Sequence, residues 1–412
     1  MSPLNKTLIT LAIIGTSSAV IASESHGYIT ESGIKITPLF DIKLERNDNV
    51  GRYSKAEQPL TSNVLVIKPG IVLDSDRNGN QYKVAYQLIS GTYSDSDSDD
   101  DDYLDHRFTT NNFVKINRRS GIRFNYSYLN LHEERGTGIL AGDTLSTIAK
   151  EPVEYDLHNV NTTYIYGAEE AKGRIETTLK YQSKTYNNYR NIASPEFSTL
   201  STKYKDYRDF GGAIAFYYDL RPATELLFDI NLTDRRYKLG EPKTGQSQDN
   251  VDAYYLIGSK WNVTGKTTGK LRLGLQNKDY DYSGKKDFTG FSWDLNFNWK
   301  PLSYSAVYVS ASQRAEDPKQ GTNYIDETRF DIAWQHYWMT HFYSRIGLNF
   351  IKEDYSESKR TDDLLESTLV FGYQLRDYAE IQAGWQYEDN SSSFESNTYT
   401  QNVWYLSTNF IF

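Results

Sequence analysis

The last thirteen residues of the chain alternate in hydrophobicity with a period of two. In Thr400–Phe412, the even positions from 402 onward carry Asn, Trp, Leu, Thr, Phe and Phe, and the odd positions carry Val, Tyr, Ser, Asn and Ile. Successive side chains of a β-strand point to opposite faces, so this segment predicts a strand with one apolar, aromatic face and one mainly polar face. A strand that ends on Phe-x-Phe is expected where it faces hydrocarbon in a closed barrel.

The same alternation of apolar and polar residues recurs along the rest of the chain. In residues 288–300, Phe, Trp and Leu occupy the odd positions from 291 to 299, and Ser, Asp and Asn occupy the even positions between them. Residues 34–44, 271–275, 328–338 and 342–350 follow a similar pattern. A polar residue at every second place is incompatible with a sheet that is buried on both faces. We therefore predict an all-β chain whose strands have one apolar and one polar face.

Short turns and longer polar loops separate these runs in alternation. Short turns on the periplasmic side and longer loops outside the cell are typical of a transmembrane antiparallel up-and-down β-barrel. The spacing predicts about eighteen strands, an even number, with sixteen as the alternative if the runs near 154–167 and 203–218 are not strands. The predicted short turns are residues 74–80, 117–121, 219–224, 262–268, 300–303, 339–340 and 376–379, and the predicted long loops are residues 46–61, 94–103, 135–152, 187–200, 239–249, 316–323 and 390–396.

The N-terminal segment has the pattern of a secretory signal peptide. Lys6 precedes an apolar run over residues 8–21, and small residues before Ser23 suit a signal peptidase. The run falls short of the ~20 apolar residues that a spanning helix needs, which disfavours the alternative of an anchor helix. We therefore predict a signal peptide over residues 1–22 and a barrel domain over residues 23–412.

The composition agrees with a barrel whose inner wall is wet. Aromatic residues make up 14% of the chain, yet its mean hydropathy is −0.65. These two values are compatible when only every second residue of each strand meets lipid. The net charge of −9 argues against a nucleic acid partner. The absence of Cys fits an exported protein that needs no disulfide.

Tryptophans mark a predicted membrane boundary. Trp261, Trp299 and Trp338 each fall at the end of a run, immediately before a short turn. Their amphipathic rings would form an aromatic girdle at one membrane interface. The alternative is that they fill the core of a soluble β-sandwich.

Charged side chains on the polar side of each run are predicted to line a water-filled channel. Their mixed charge suits a hydrated polymer or small solutes better than strong anion selection. Tyr337, Tyr343 and Tyr405 share that side, where they either stack on sugar rings or pack within the lumen. The predicted channel-lining residues are Lys115, Arg123, Arg174, Lys180, Glu225, Asp229, Lys270, Arg272, Asp294, Arg329, Asp331, Arg345, Glu366 and Glu380.

Two loops carry further signals. Residues 95–102 hold six Asp, and carboxylates are ligands for divalent cations. The run lacks an EF-hand layout and is more typical of a solvated, self-repelling loop, so no metal site and no cofactor are predicted. Loop 135–152 is long and contains Gly136, Gly138 and Gly142. We predict that it folds into the lumen as a constriction.

The chain shows no established catalytic motif. A barrel enzyme of lipid remodelling would need a nucleophile, a histidine and an orienting group within hydrogen-bond reach. The sequence has no Gly-x-Ser-x-Gly, no His-Glu-x-x-His and no phosphate-binding glycine loop. We therefore predict that the protein is not an enzyme. Its six histidines are His26, His106, His132, His158, His336 and His341.

Two segments resemble a known protein family. Residues 44–51 resemble the opening of the putative β-barrel porin 2 family, and residues 217–233 resemble its later repeats. Members are typically encoded with capsule or exopolysaccharide synthesis genes, so the resemblance implies a barrel for polysaccharide export. The C-terminal segment with Tyr405, Phe410 and Phe412 is similar to the signal read by the barrel assembly machinery, although Ser stands at 407 where that signal often has Gly.

Together these features predict a passive conduit in the bacterial outer membrane. The resemblance makes export of exopolysaccharide or capsular polysaccharide the leading expectation, and a general diffusion porin for small hydrophilic solutes is the main alternative. A lipid-remodelling enzyme is the third. The expected partners are outer-membrane lipid, lipopolysaccharide and the barrel assembly machinery. Export would add periplasmic export proteins and a polysaccharide chain.

Replacing Leu295 by Arg tests the assignment of the two faces. A cation on the lipid face near the bilayer centre should cost roughly 2–4 kcal/mol in the free energy of unfolding. Asn296→Arg, on the wet face, should be nearly silent. Urea unfolding in lipid vesicles measures both variants, and equal losses would contradict the assignment.

Overall fold

The described part of the chain forms one antiparallel sheet. The predicted signal peptide lies outside the described residues. The computed structural model describes residues 27–94, 101–149, 151–168, 171–192, 197–263, 265–318 and 324–412. Its strands are β1 (Tyr28–Ile29), β2 (Lys35–Asn47), β3 (Ser62–Arg77), β4 (Asn80–Tyr93), β5 (Tyr103–Lys115), β6 (Ser120–Glu133), β7 (Val153–Tyr166), β8 (Gly173–Tyr186), β9 (Tyr207–Arg221), β10 (Thr224–Tyr237), β11 (Asn250–Val263), β12 (Thr267–Tyr280), β13 (Phe288–Leu302), β14 (Ser305–Glu316), β15 (Ile325–Tyr337), β16 (Phe342–Tyr355), β17 (Thr361–Arg376), β18 (Ala379–Ser392) and β19 (Tyr399–Ile411).

The sheet closes on itself. From β2 to β19, each strand pairs with the next in sequence, and β19 returns to pair with β2, from Val403 opposite Asn47 to Ile411 opposite Leu39. Closure leaves no open edge. A barrel in hydrocarbon needs this closure, because hydrocarbon offers no partner to an unpaired backbone N–H or C=O group. The predicted antiparallel barrel of eighteen strands is confirmed, and the two-residue strand β1 is a short extension that pairs with β2.

The alternative of sixteen strands is wrong. The runs near 154–167 and 203–218 correspond to β7 and β9, and each of these strands pairs along its length with both neighbours. The sequence signal of β9 is weak for a physical reason. In β9, Gly211 and Gly212 interrupt the alternation, so the flanking strands rather than local hydrophobicity define the strand.

The two faces of the barrel are inverted relative to a soluble protein. In β13, Phe291 on the outward face is 53% exposed, whereas Ser292 on the inward face is buried. In β12, the outward Leu275 is 54% exposed, whereas the inward Gln276 and Lys278 are buried. Apolar side chains therefore cover the outside of the barrel and polar side chains fill much of its inside, as in outer-membrane barrels.

The two ends of the barrel differ in the length of their connections. At one end, Asn78 (φ 56°) and Gly79 (φ 79°) join β3 to β4 with both residues in the left-handed region, as in a type I′ hairpin. The turn predicted at 74–80 is shorter than expected, because β3 continues to Arg77 and β4 begins at Asn80. The opposite end carries the long loops. The sequence pattern missed the connections at 281–287 and 356–360.

Several long loops contain short helical segments. Among the described residues, no helix has both the length and the apolar character that crossing a membrane would require. The segments are an α-helix at Asp143–Ile148 and 3-10 helices at Gly138–Leu140, Ser198–Leu200, Thr202–Lys205 and Glu395–Asn397.

Glycines allow inner-wall aromatic rings to lie flat on the neighbouring strand. Tyr343 stands opposite Gly372, and Tyr405 stands opposite Gly384. Each ring occupies the space that a Cβ atom on the glycine would need. Such aromatic–glycine pairs fix the register between two strands.

Gly372→Ala should displace the ring of Tyr343 and cost about 1–3 kcal/mol in the free energy of unfolding, the usual cost of overpacking. Gly212→Ala is the matched control, because a Cβ atom there would lie 3.7 Å from the carbonyl oxygen of Thr178, an ordinary contact. Urea unfolding of the reconstituted barrel compares the two. If both variants are equally stable, the ring does not depend on the glycine.

Candidate functional site in the barrel interior

The register places the predicted channel-lining residues on the inner face of the barrel. Residues that stand opposite each other in adjacent strands share a face, so the inner face can be followed from pair to pair. Arg272 stands opposite Asp294, and Asn349 stands opposite both Asp331 and Glu366. All of the predicted residues fall on this face. Their part in solute passage stays a prediction.

Arg272 lies at the centre of a buried ion-pair cluster. Its Nη1 atom is 2.9 Å from Oδ2 of Asp229, and its Nη2 atom is 2.8 Å from Oδ2 of Asp294. Nearby, Nζ of Lys180 donates to Oδ1 of Asn231 at 2.9 Å. Arg272 is 3% exposed. Its charge is therefore compensated within the wall, as a buried cation requires.

A second cluster lies towards the short-turn end. Nε of Arg174 is 3.1 Å from Oε1 of Glu176, and its Nη1 is 3.4 Å from Oε1 of Glu225. Nζ of Lys260 is 3.3 Å from Oε2 of Glu225, and Nη1 of Arg123 is 3.9 Å from Oε2 of Glu176. The structure therefore brings together Arg123, Arg174 and Glu225 from the predicted set.

Most of the other predicted residues have polar neighbours elsewhere in the wall. Nη2 of Arg329 is 3.3 Å from Oε2 of Glu327, and Oγ of Ser310 donates to Oδ2 of Asp331 at 2.7 Å. Charge within the wall is therefore mixed, and much of it is locally paired. Arg345 donates to Gln335, Glu366 accepts from the Asn349 amide, Glu380 accepts from the Tyr343 hydroxyl, Lys270 stands opposite Lys260 and Asn296, and Lys115 stands opposite Gly121.

All three tyrosines considered for sugar stacking have contacts within the wall. Tyr343 is 2% exposed, and its ring packs 5.2 Å from that of Tyr337. Nζ of Lys43 lies 4.4 Å from the ring centroid of Tyr405. These contacts favour the alternative in which the tyrosines fill the lumen and pack against basic neighbours.

A cavity of about 860 Å³ occupies the half of the barrel that carries the long loops. Among the described residues that line it, fifteen are Asp or Glu and twelve are Lys or Arg. The lining is therefore strongly polar with a small excess of negative charge. Gly136, Thr137 and Gly138 of the predicted constriction loop are part of this lining.

The loop predicted to form a constriction is attached to the inner wall by both apolar and polar contacts. Ile139 and Leu140 are buried in a cluster with Tyr186 of β8. The amide of Ile139 donates to Oε2 of Glu133 at 3.1 Å. Gly138 (φ 64°) has a left-handed backbone, and the Glu133 carboxylate fills the space where a side chain would project.

Asp317 connects the loop after β14 to a distant part of the wall. Its carboxylate pairs with Arg235 of β10 and lies 3.0 Å from Nζ of Lys278 of β12. Burial alone would raise the pKa of Asp317, but Lys278 and Arg235 lower it to about 2. Beside it, Nζ of Lys205 donates to the carbonyl oxygen of Pro318 at 3.4 Å, and burial lowers the pKa of Lys205 to about 8.

The acidic run is only partly within the described residues. Residues 95–100 lie outside them. Asp101 is 3% exposed and lies 2.8 Å from Nε of Arg135, and Asp102 accepts a hydrogen bond from the amide of Tyr93 at 2.7 Å. Within the described ranges, no group of three or more potential metal-ligating side chains is found.

Comparison with protein families identifies the family to which the chain belongs. The family described as putative beta-barrel porin 2 matches residues 34–411. The chain belongs to this family. The match confirms the resemblance seen in the sequence. Together with the closed eighteen-stranded barrel, it places the porin in the bacterial outer membrane as a multi-pass β-barrel. Among curated proteins, no significant match was found.

Several solved barrels resemble the porin in architecture. Acinetobacter baumannii OccAB3 matches with a TM-score of 0.47 and 12% identity, over 92% of this chain and 99% of that chain. Pseudomonas aeruginosa opdK matches with a TM-score of 0.49 and 9% identity, over 92% of this chain and 99% of that chain. The siderophore receptor PirA from Acinetobacter baumannii matches with a TM-score of 0.49 and 7% identity, over 91% of this chain and 80% of that chain.

The described histidines of the porin contact tyrosine, aspartate and tryptophan side chains. Nδ1 of His132 is 2.8 Å from Oδ1 of Asp105, and its ring stacks on that of Tyr103 at 3.8 Å. His336, on the outward face, packs 4.5 Å from the ring of Trp338. These contacts favour structural roles. His106 contacts the Tyr86 hydroxyl, His158 contacts the Tyr126 hydroxyl, His341 packs near Tyr373, and His26 lies outside the described residues.

The predicted tryptophan girdle lies on the outward face of the porin. Trp299 and Trp338 are 45% and 57% exposed at the short-turn ends of their strands, and Trp261 lies at the same end of β11. A role at the membrane interface stays a prediction, as does recognition of Tyr405, Phe410 and Phe412 by the assembly machinery. Outward tyrosines missed by the sequence analysis extend the same belt: Tyr82, Tyr164, Tyr166, Tyr218 and Tyr373.

The sequence analysis also missed several inner-wall cations. Lys43, Lys68, Arg107 and Lys184 line the cavity. They lie on the polar side of their strands, so applying the alternation rule to every strand would have found them. Arg52 lines the same cavity from a loop, where no alternation indicates which side chains point inward.

Asp317→Asn should cost about 3–5 kcal/mol in the free energy of unfolding at pH 7, because it leaves Lys278 and Arg235 without their carboxylate. The folded pKa of about 2 lies below the ordinary 3.8, so the contribution of Asp317 is present above pH 3.8 and is lost as the pH falls towards 2. The difference from the unaltered porin should therefore shrink at pH 2.

Asp281→Asn is the control, because Asp281 pairs with Arg236 at the surface, where both side chains are more than 40% exposed. Its cost should stay below about 1 kcal/mol. Urea unfolding at pH 7 and pH 2 measures both variants. A difference for Asp317→Asn that is small at pH 7, or unchanged at pH 2, would contradict the account of this ion pair.

Proposed function

We propose that this porin is a passive diffusion channel for small hydrophilic solutes. The observation that carries the proposal is the polar cavity of about 860 Å³ inside the barrel, lined by charges of both signs. A wall of locally paired charges is wetted by water but has no strong field of one sign. Such a wall suits uncharged or weakly charged solutes. Passive transport of this kind needs no cofactor and no catalytic group.

The inward-folded loops limit the size of the solute. Residues 134–149 pack against the inner wall through Ile139 and Leu140, and Asp317 pairs with Arg235 and the buried Lys278. A barrel of this strand number would otherwise be wide enough for an open aqueous channel. The loops therefore favour small molecules over an extended polymer.

Export of exopolysaccharide or capsular polysaccharide is a second proposal. It is supported by the gene association that the family resemblance implies. Periplasmic export proteins and a polysaccharide chain are partners under this proposal alone. A polymer in transit would have to displace the loop of residues 134–149 and the ion pairs of Asp317, which is why diffusion of small solutes is the first proposal.

Proteoliposomes that contain the purified porin should swell in isotonic monosaccharide. The rate of swelling should fall steeply for tri- and tetrasaccharides, because the inward-folded loops narrow the path. Vesicles without protein give the baseline. Exclusion of every saccharide, including the smallest, would contradict the diffusion proposal.

Deleting the gene separates the two proposals. Intact secreted polymer with reduced uptake of small solutes supports diffusion. Loss of the secreted polymer with unchanged uptake supports export. Complementation with the unaltered gene should restore whichever property is lost.

A further inference from the structure

Arg52 is a loop residue that lies inside the barrel between two carboxylates. We propose that Arg52 joins residues 48–61 and residues 134–149 into a single constriction and that its charge sets the ion preference of that constriction. The inference rests on the proposed channel function. It adds a second loop to the constriction and assigns a selectivity-determining residue to it.

The contacts of Arg52 connect three separate parts of the chain. Its Nε and Nη2 atoms donate to the two carboxylate oxygens of Glu388 on β18 at 3.1 and 3.3 Å. Nη2 is also 2.8 Å from Oε2 of Glu134, which begins the other loop, and Nη1 donates to the carbonyl oxygen of Arg135 at 3.5 Å. A guanidinium suits this position because its planar fork binds one carboxylate through two donors and leaves further donors free.

The backbone of Arg52 has a costly conformation. Its φ of 50° lies in the left-handed region, which non-glycine residues seldom adopt. Such conformations persist where surrounding contacts hold them, and they are common at functional sites. Here the two carboxylate contacts hold the side chain within the lumen, where it is 10% exposed.

The two loops also contact each other directly. Oγ of Ser146 donates to the carbonyl oxygen of Gly51 at 2.8 Å. The amide and hydroxyl of Ser54 donate to the two carboxylate oxygens of Asp143 at 2.7 and 2.6 Å. Gly136 (φ 74°) packs so closely on the Gly51 carbonyl that a side chain at 136 would collide with it. The loops therefore form one packed unit.

Arg52 compensates a group of acidic side chains on this side of the cavity. Its guanidinium lowers the pKa of Glu134, so this carboxylate stays ionised. Glu388 stands directly opposite Glu366 in the register, and two carboxylates in that position repel each other. If Arg52 were absent, the carboxylates of Glu134, Glu366 and Glu388 would face the cavity with less compensating charge. Cations would then be favoured in the constriction.

Four single variants in planar bilayers separate the two roles of Arg52. Arg52→Met removes both the link and the charge, so the single-channel conductance should rise. The cation-to-anion permeability ratio, from the reversal potential in a salt gradient, should rise by about twofold or more. Arg52→Lys keeps the charge, so its permeability ratio should stay near that of the unaltered porin. Its conductance should rise, because lysine lacks the planar fork that links the two loops.

Ser54→Ala and Arg360→Met are the matched controls. Ser54→Ala weakens the contact between the loops without changing charge, so it should raise the conductance and leave the ratio unchanged. Arg360 pairs with Asp362 in the same cavity but does not join the two loops. Arg360→Met should therefore raise the ratio and leave the conductance unchanged.

Unchanged conductance and unchanged ratio in Arg52→Met would overturn the inference. If Arg52→Met does not insert, as judged by its heat-dependent mobility on gels, Arg52→Lys and Ser54→Ala decide the matter through their conductance. An unaltered porin without current would contradict the diffusion proposal instead. If Arg52→Met opened such a closed barrel, the inference would still be supported.

Discussion

The pairing of the last strand, β19, with the first long strand, β2, is the constraint on which the rest of the structure depends. It satisfies the backbone groups of what would otherwise be two open edges, and hydrocarbon tolerates no such edge. Once the sheet is closed, every strand has one face towards lipid and one towards the lumen. The inverted exposure of neighbouring residues such as Phe291 and Ser292 follows directly from that closure.

Closure also explains why the interior is rich in paired charges. A wide barrel lined with polar residues admits water, but loops that fold into it must bring partners for the groups they bury. Asp317 brings a carboxylate to Arg235 and Lys278, and Arg52 brings a guanidinium to Glu134 and Glu388. These ion pairs attach the loops to the inner wall. The loops reduce the wide interior of the barrel to a smaller polar cavity.

The sequence predicted the fold because the alternation of apolar and polar residues is a local property of each strand. It predicted much of the inner face for the same reason. It failed where local pattern is weak, as in β9 with Gly211 and Gly212, and at short outer connections such as 356–360. It also could not identify Arg52 or Asp317, because a loop has no period that shows which side chains turn inward. Their positions depend on partners that are distant in the chain.

Cysteine accessibility along β13 tests the central claim most directly, because the natural chain has no Cys. Single cysteines at consecutive positions would be exposed to a membrane-impermeant thiol reagent in reconstituted vesicles. The account predicts labelling of Asp294→Cys and Asn296→Cys, which face the wet interior, and protection of Leu295→Cys and Phe297→Cys, which face lipid. Labelling that does not alternate, or that marks all four positions equally, would contradict a closed barrel with a wet inside and an apolar outside.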